Sequence, residues 1–149
     1  MASARLAAAD AQASPLSGRW VKHHPEHACR DASCRLAYDF VRCGDGWCGV
    51  EVKEDKTCGR IAFRLDAGMP TQFGVAFSGR YERAEGTQPY LVKASLRDDT
   101  QPRQADERRL LSILGNTEGD FQPMRRTYPL HMVLVRDGDA ACPVQSKVS

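Results

Sequence analysis

Val41-Arg42-Cys43-Gly44-Asp45-Gly46-Trp47-Cys48-Gly49-Val50-Glu51-Val52 reads as a strand, a tight turn and a returning strand, with a cysteine on each side of the turn. Gly44-Asp45-Gly46 supplies the turn chemistry, because glycine reaches positive φ at little steric cost. Upstream, Leu36, Tyr38 and Phe40 alternate with Ala37, Asp39 and Val41, the period-two pattern of a strand with one buried face. Four further cysteines flank this hairpin: Cys29 and Cys34 before it, Cys58 just after it, and Cys142 near the C-terminus. The chain is organised around a stapled β-hairpin.

The same alternation continues outward. Leu16 to Val21 forms the first ordered element. Ile61, Phe63 and Leu65 share one face, as do Phe73, Val75 and Phe77, with Ser78-Gly79-Arg80 closing that run. Tyr90, Val92, Ala94 and Leu96 repeat the pattern, and Leu130 to Arg136 gives the last clear strand. Leu110 to Leu114 is followed by the turn-rich Gly115 to Asp120, which favours a strand and hairpin over a helical turn. Residues 23–33, 98–109 and 115–127 read as polar connections. About eight short strands at even spacing, with little helix, predict an all-β antiparallel barrel or sandwich.

The chain has 149 residues, enough for one domain with its own core. Residues 1–15 read as an alanine-rich tail or a signal-peptide remnant, with an A-x-A pattern ending at Ala13, and residues 16–149 as one domain. The net charge is only +2 and the two signs are interspersed. Nucleic-acid binding, which needs a concentrated basic patch, is not expected from Arg108-Arg109 and Arg125-Arg126 alone. No apolar run approaches the roughly 20 residues of a membrane-spanning helix. An even cysteine number in a small chain favours disulfides and an oxidising compartment, hence a periplasmic or secreted protein, monomeric by default.

Gly18-Arg19-Trp20 resembles the G-x-W signature of the lipocalins and related calycin barrels. Arg42-Cys43-Gly44-Asp45-Gly46-Trp47-Cys48-Gly49 resembles a cysteine-glycine hairpin in an uncharacterised family of small secreted bacterial proteins with a lipocalin-like barrel. The resemblance spans Leu16 to about Arg64. The Cys29 and Cys34 pair and the histidine-rich loop before it depart from that family's pattern. The resemblance implies a small, disulfide-stapled, lipocalin-like barrel and an extracytoplasmic compartment. It implies no catalytic residue.

Fifteen pairings of six cysteines are formally open. The most economical set is local, Cys29–Cys34 and Cys43–Cys48, which leaves Cys58–Cys142 to tie the C-terminal segment to an early strand. Zinc competes for the two C-x4-C units, although the eight residues between Cys34 and Cys43 leave little chain to wrap a tetrahedral site. His23, His24 and His27, with Glu26 among them, form a second candidate metal site, since imidazoles ligate copper, zinc or nickel. The competing reading of that stretch is a solvated polar loop.

No nucleophile elbow or phosphate-binding loop occurs, the frequent Asp and Glu single out no carboxylate pair without a cleft to place them, and no cofactor is implied. A small barrel either fills its interior with side chains or encloses one small ligand. The residues expected to face inward, and so to touch an apolar or amphipathic ligand, are Trp20, Tyr38, Phe40, Phe63, Phe73, Phe77 and Tyr90. The competing reading is that these aromatics simply form the core. Three functions follow as expectations: a non-enzymatic binding protein for a small ligand, a protein–protein module such as a periplasmic hydrolase inhibitor acting through its long polar loops, and metal binding through the histidine loop.

Overall fold

The computed structural model describes residues 16–22, 36–72, 74–97, 110–124 and 127–144. The hairpin at its centre pairs β2 (Ala37–Cys43) with β3 (Gly46–Val52) in register from Ala37↔Val52 to Cys43↔Gly46. Gly44 sits at φ +60° in the first central position of the turn, the place where a two-residue hairpin of matching twist requires glycine. The Cys43–Cys48 disulfide crosses the same two strands, with Cα atoms 5.7 Å apart.

Seven more strands complete the sheet: β1 (Gly18–Lys22), β4 (Cys58–Leu65), β5 (Met69–Thr71), β6 (Gly74–Tyr81), β7 (Tyr90–Arg97), β8 (Leu110–Asn116) and β9 (Leu130–Gly138). Every pairing is antiparallel, in the order β4-β3-β2-β1-β9-β8-β7-β6, and β6 returns to pair with β4. The strands therefore close a ring, an all-β architecture with no helix among the described residues. Closure by β4 and β6 leaves the three-residue β5, paired only with β6, at the end of the strand order, so little free edge is presented to other chains.

The ninth strand, β5, is absent from the sequence reading. Its three residues are all exposed, so Met69-Pro70-Thr71 carries no apolar alternation to betray it. It continues the line of β4 along β6, and the register slips by one residue between Leu65↔Gly79 and Met69↔Ala76. Asp66 holds this bulge. Its backbone N–H donates to the Ser78 carbonyl at 2.8 Å, and its Oδ1 accepts from the N–H groups of Gly68 and Ser78 at 3.0 and 3.1 Å. Such a bulge bends a strand where a sheet must curl.

The alternation sorts side chains onto two faces. Trp20, Tyr38, Phe40, Trp47, Phe63, Leu65, Phe77, Tyr81, Val92, Ala94, Leu96, Leu111, Ile113, Met132 and Leu134 pack inside the ring as one cluster. A second cluster lies on the outer face of β2 and β3: Ala37, Val50 and Val52, with Val21, Val41 and Ile61 packed against it. The segment after β9 covers that outer patch, placing Cys142 and Val144 upon it, and the Cys58–Cys142 disulfide ties the segment to the start of β4. Two of the three sequence-derived disulfides are thus present. Cys29 and Cys34 lie outside the described residues.

Candidate functional site

Toward the end of the ring where β1 begins, the described large side chains are fully buried. Leu16 and Trp20 have no exposed surface, and the Trp20 indole N–H donates to the Leu16 carbonyl at 2.9 Å. Phe40, Trp47, Phe63 and Phe77 are equally buried, at no more than 1% exposure. These aromatics fill the interior with their own rings.

The opposite end opens into a cavity of about 330 Å³. Here β1 and β6 end while β2, β7 and β9 begin. Lys22, Leu36, Tyr38, Tyr81, Arg83, Tyr90, Pro129, Leu130, His131 and Met132 line it. Of the aromatics expected to contact a ligand, Tyr38 and Tyr90 reach this cavity, whereas Trp20, Phe40, Phe63 and Phe77 belong to the packed interior. Phe73, His23, His24, Glu26 and His27 lie outside the described residues.

The cavity floor is aromatic with a polar tip. The Tyr38 and Tyr81 hydroxyls lie 3.1 Å apart, one donating to the other. Their rings bracket Phe63, edge-on to Tyr38 at 5.0 Å and tilted against Tyr81 at 4.4 Å, and Tyr90 stacks on Tyr81 at 6.5 Å. Burial, reinforced by the neighbouring Tyr81, pushes the Tyr38 phenol far above its ordinary value. Tyr38 therefore stays protonated, and the hydroxyl pair keeps one O–H beyond the bond it makes internally. The walls are Leu36, Leu130 and Met132, and the rim carries Lys22 and Arg83.

Tyr81, Lys22 and Arg83 escaped the sequence reading. Tyr81 was legible, because Val75, Phe77, Gly79 and Tyr81 keep the inward phase of β6; ending that run at Arg80 cut it one residue short. Lys22 and Arg83 carry no such signal, since a basic residue at a strand end is ordinary in sequence.

A second concavity, of about 310 Å³, runs along the outside of β4 beside Cys58 and Pro143. Arg60, Arg64, Glu82 and Glu85 line it. Arg60 is already engaged, donating to the Glu82 carbonyl at 2.6 Å and lying 3.9 Å from the Glu51 carboxylate. Among the described residues no cluster of three or more histidine, cysteine or acidic side chains is placed to hold a metal ion. No helix of the described residues is long and apolar enough to cross a membrane.

No protein-family model, curated protein or solved structure matches the chain.

Proposed function

We propose that the chain is a periplasmic or secreted binding protein that holds one small amphipathic molecule in the cavity at the open end of its barrel. The observation that carries this reading is the contrast between the two ends. Toward one end Leu16, Trp20, Phe40 and Trp47 are fully buried, while the other keeps a recess of about 330 Å³ walled by Leu36, Leu130 and Met132 and supplied with a hydroxyl donor by the Tyr38–Tyr81 pair. Ligand sites are typically of about 300–1,000 Å³, largely apolar, with a few convergent polar groups. This cavity sits at the small end of that range, so the ligand is small. The disulfides Cys43–Cys48 and Cys58–Cys142 are compatible with an extracytoplasmic location and support that part of the reading.

The test is a titration with 8-anilinonaphthalene-1-sulfonate, an amphipathic dye that brightens when it leaves water. The expected result is saturable one-to-one enhancement that Leu130→Trp, which fills the recess, weakens by about tenfold or more. The variant's melting temperature verifies that it folds. Absence of enhancement, or enhancement that Leu130→Trp leaves unchanged, contradicts the proposal.

A further inference from the structure

The charge around the open cavity is one-sided. Among the described residues its ionisable lining consists of Lys22, Arg83, His131 and three tyrosines, with no carboxylate. Among the described residues neither Lys22 nor Arg83 forms an ion pair. The carboxylates nearest in the fold are turned to other tasks. Glu51 stands opposite Tyr38 in the β2–β3 register and its charge reaches the Tyr38 hydroxyl, but Arg60 lies 3.9 Å from the Glu51 carboxylate and acts on that hydroxyl with the opposite sign. Glu82 precedes Arg83 but lines the outer groove. Asp39, the neighbour of Tyr38, points to the outer face, where Arg19 holds it.

The polar groups inside match the rim. Lysine and arginine offer only donors, and a tyrosine hydroxyl pair that satisfies itself keeps one further O–H to give. The lining is therefore rich in donors around apolar walls. A cationic head would meet Lys22 and Arg83 as like charges. A neutral head would gain from the hydroxyls but leave both cations unmatched. An anionic head satisfies donor and charge together.

We infer that the cavity selects amphipathic anions, molecules with a carboxylate, sulfonate or phosphate head on a short apolar body, and that Lys22 and Arg83 are the residues that set this preference. The inference depends on the binding reading above and names the ligand class for that same cavity. The volume limits the apolar body: 330 Å³ is roughly eleven waters at liquid density, room for a medium chain or a single ring system. The rim is solvent-exposed at Arg83, so the electrostatic part of the affinity is screened by salt.

The experiment is isothermal titration of the full, disulfide-intact chain at low ionic strength with three probes of one tail length: octanoate, octanol and octyltrimethylammonium. Two partly exposed ion pairs predict that octanoate binds about tenfold tighter than octanol, with the cation weakest. In Lys22→Gln/Arg83→Gln the octanoate preference is expected to shrink to about twofold, and about 0.5 M salt is expected to shrink it similarly in the unaltered protein. If the double variant fails to fold, Arg83→Gln alone, at an exposed position, carries the test with a smaller loss. Equal binding of octanoate and octanol, or a preference that survives both substitutions, overturns the anion assignment and leaves the binding reading standing. No binding of any of the three probes overturns both.

Discussion

A carboxylate without exposed surface needs its charge met on every side, and Asp39 shows how this chain does so. Burial alone would raise its pKa, but the Arg19 guanidinium and two backbone N–H groups outweigh that and hold it below the ordinary carboxylate range. Arg19 reaches it with two nitrogens, at 2.8 and 3.0 Å, and the N–H groups of Ala141 and Cys142 both donate to Oδ2 at 2.8 Å. One side chain thereby binds β1, β2 and the C-terminal segment together. Asp39→Ala leaves two N–H groups and a guanidinium without their acceptor, so a loss of about 3 kcal/mol is expected in urea unfolding. The pH dependence has a fixed sign. Because the folded-state pKa is depressed, this stabilisation is fully present above the unfolded value near 3.9 and disappears as pH falls through the lower folded value. Unfolding midpoints measured from about pH 5 to pH 2 should therefore fall less steeply for Asp39→Asn than for the unaltered chain. Nothing in the sequence marks Asp39 for this role: it occupies an outward position in an alternating strand, where a solvated carboxylate is ordinary.

Elements were legible to the extent that their two faces differ in polarity. β2, β4, β6, β7 and β9 alternate visibly because each has a buried face against the ring interior. The turn at Gly44-Asp45 was legible from glycine alone. The outer cluster was not, because Ala37, Val50 and Val52 are buried only by a segment some ninety residues further along the chain. In sequence they look like apolar residues on the solvent side of a strand. The β4–β5 bulge also left no trace, since Asp66-Ala67-Gly68 resembles any polar turn. A related constraint falls on Gly79. It pairs with Leu65 at the β4–β6 seam, and a Cβ there would collide with the Arg64 carbonyl oxygen, a backbone atom that cannot swing aside. Gly79→Ala is therefore expected to force the seam apart and cost about 3 kcal/mol by chemical denaturation, near the upper end for overpacking. A change within about 0.5 kcal/mol would show that β4 and β6 do not approach this closely.

At the scale of the whole molecule, the ring and its strap are separate devices. The Cys43–Cys48 bond joins residues 5 positions apart and Cys58–Cys142 residues 84 positions apart. The loop-entropy model assigns about 2 kcal/mol to the first and between about 4 and 5 to the second. The double variant Cys58→Ser/Cys142→Ser should therefore lose more stability than Cys43→Ser/Cys48→Ser, as their melting temperatures would reveal. The reverse order would mean that the C-terminal segment is held mainly by Asp39 and its apolar contacts.

The two bonded pairs were legible as the most economical connectivity. The partition of the inward aromatics was not, because Phe40 and Tyr38 carry the same phase along β2, and only the closed ring reveals which of them meets the open end. The same limit hid the basic rim: Lys22 and Arg83 are 61 positions apart in the chain and converge only because β1 and β6 end at the same mouth. The central claim, that this mouth is the binding site of an otherwise packed barrel, is tested most directly by methyl-resolved NMR during titration with octanoate. Saturable shifts are expected at Leu36, Leu130 and Met132, with Leu111, Ile113 and Leu134 unmoved. Shifts confined to the packed interior, or none up to the solubility of the probe, would contradict the account.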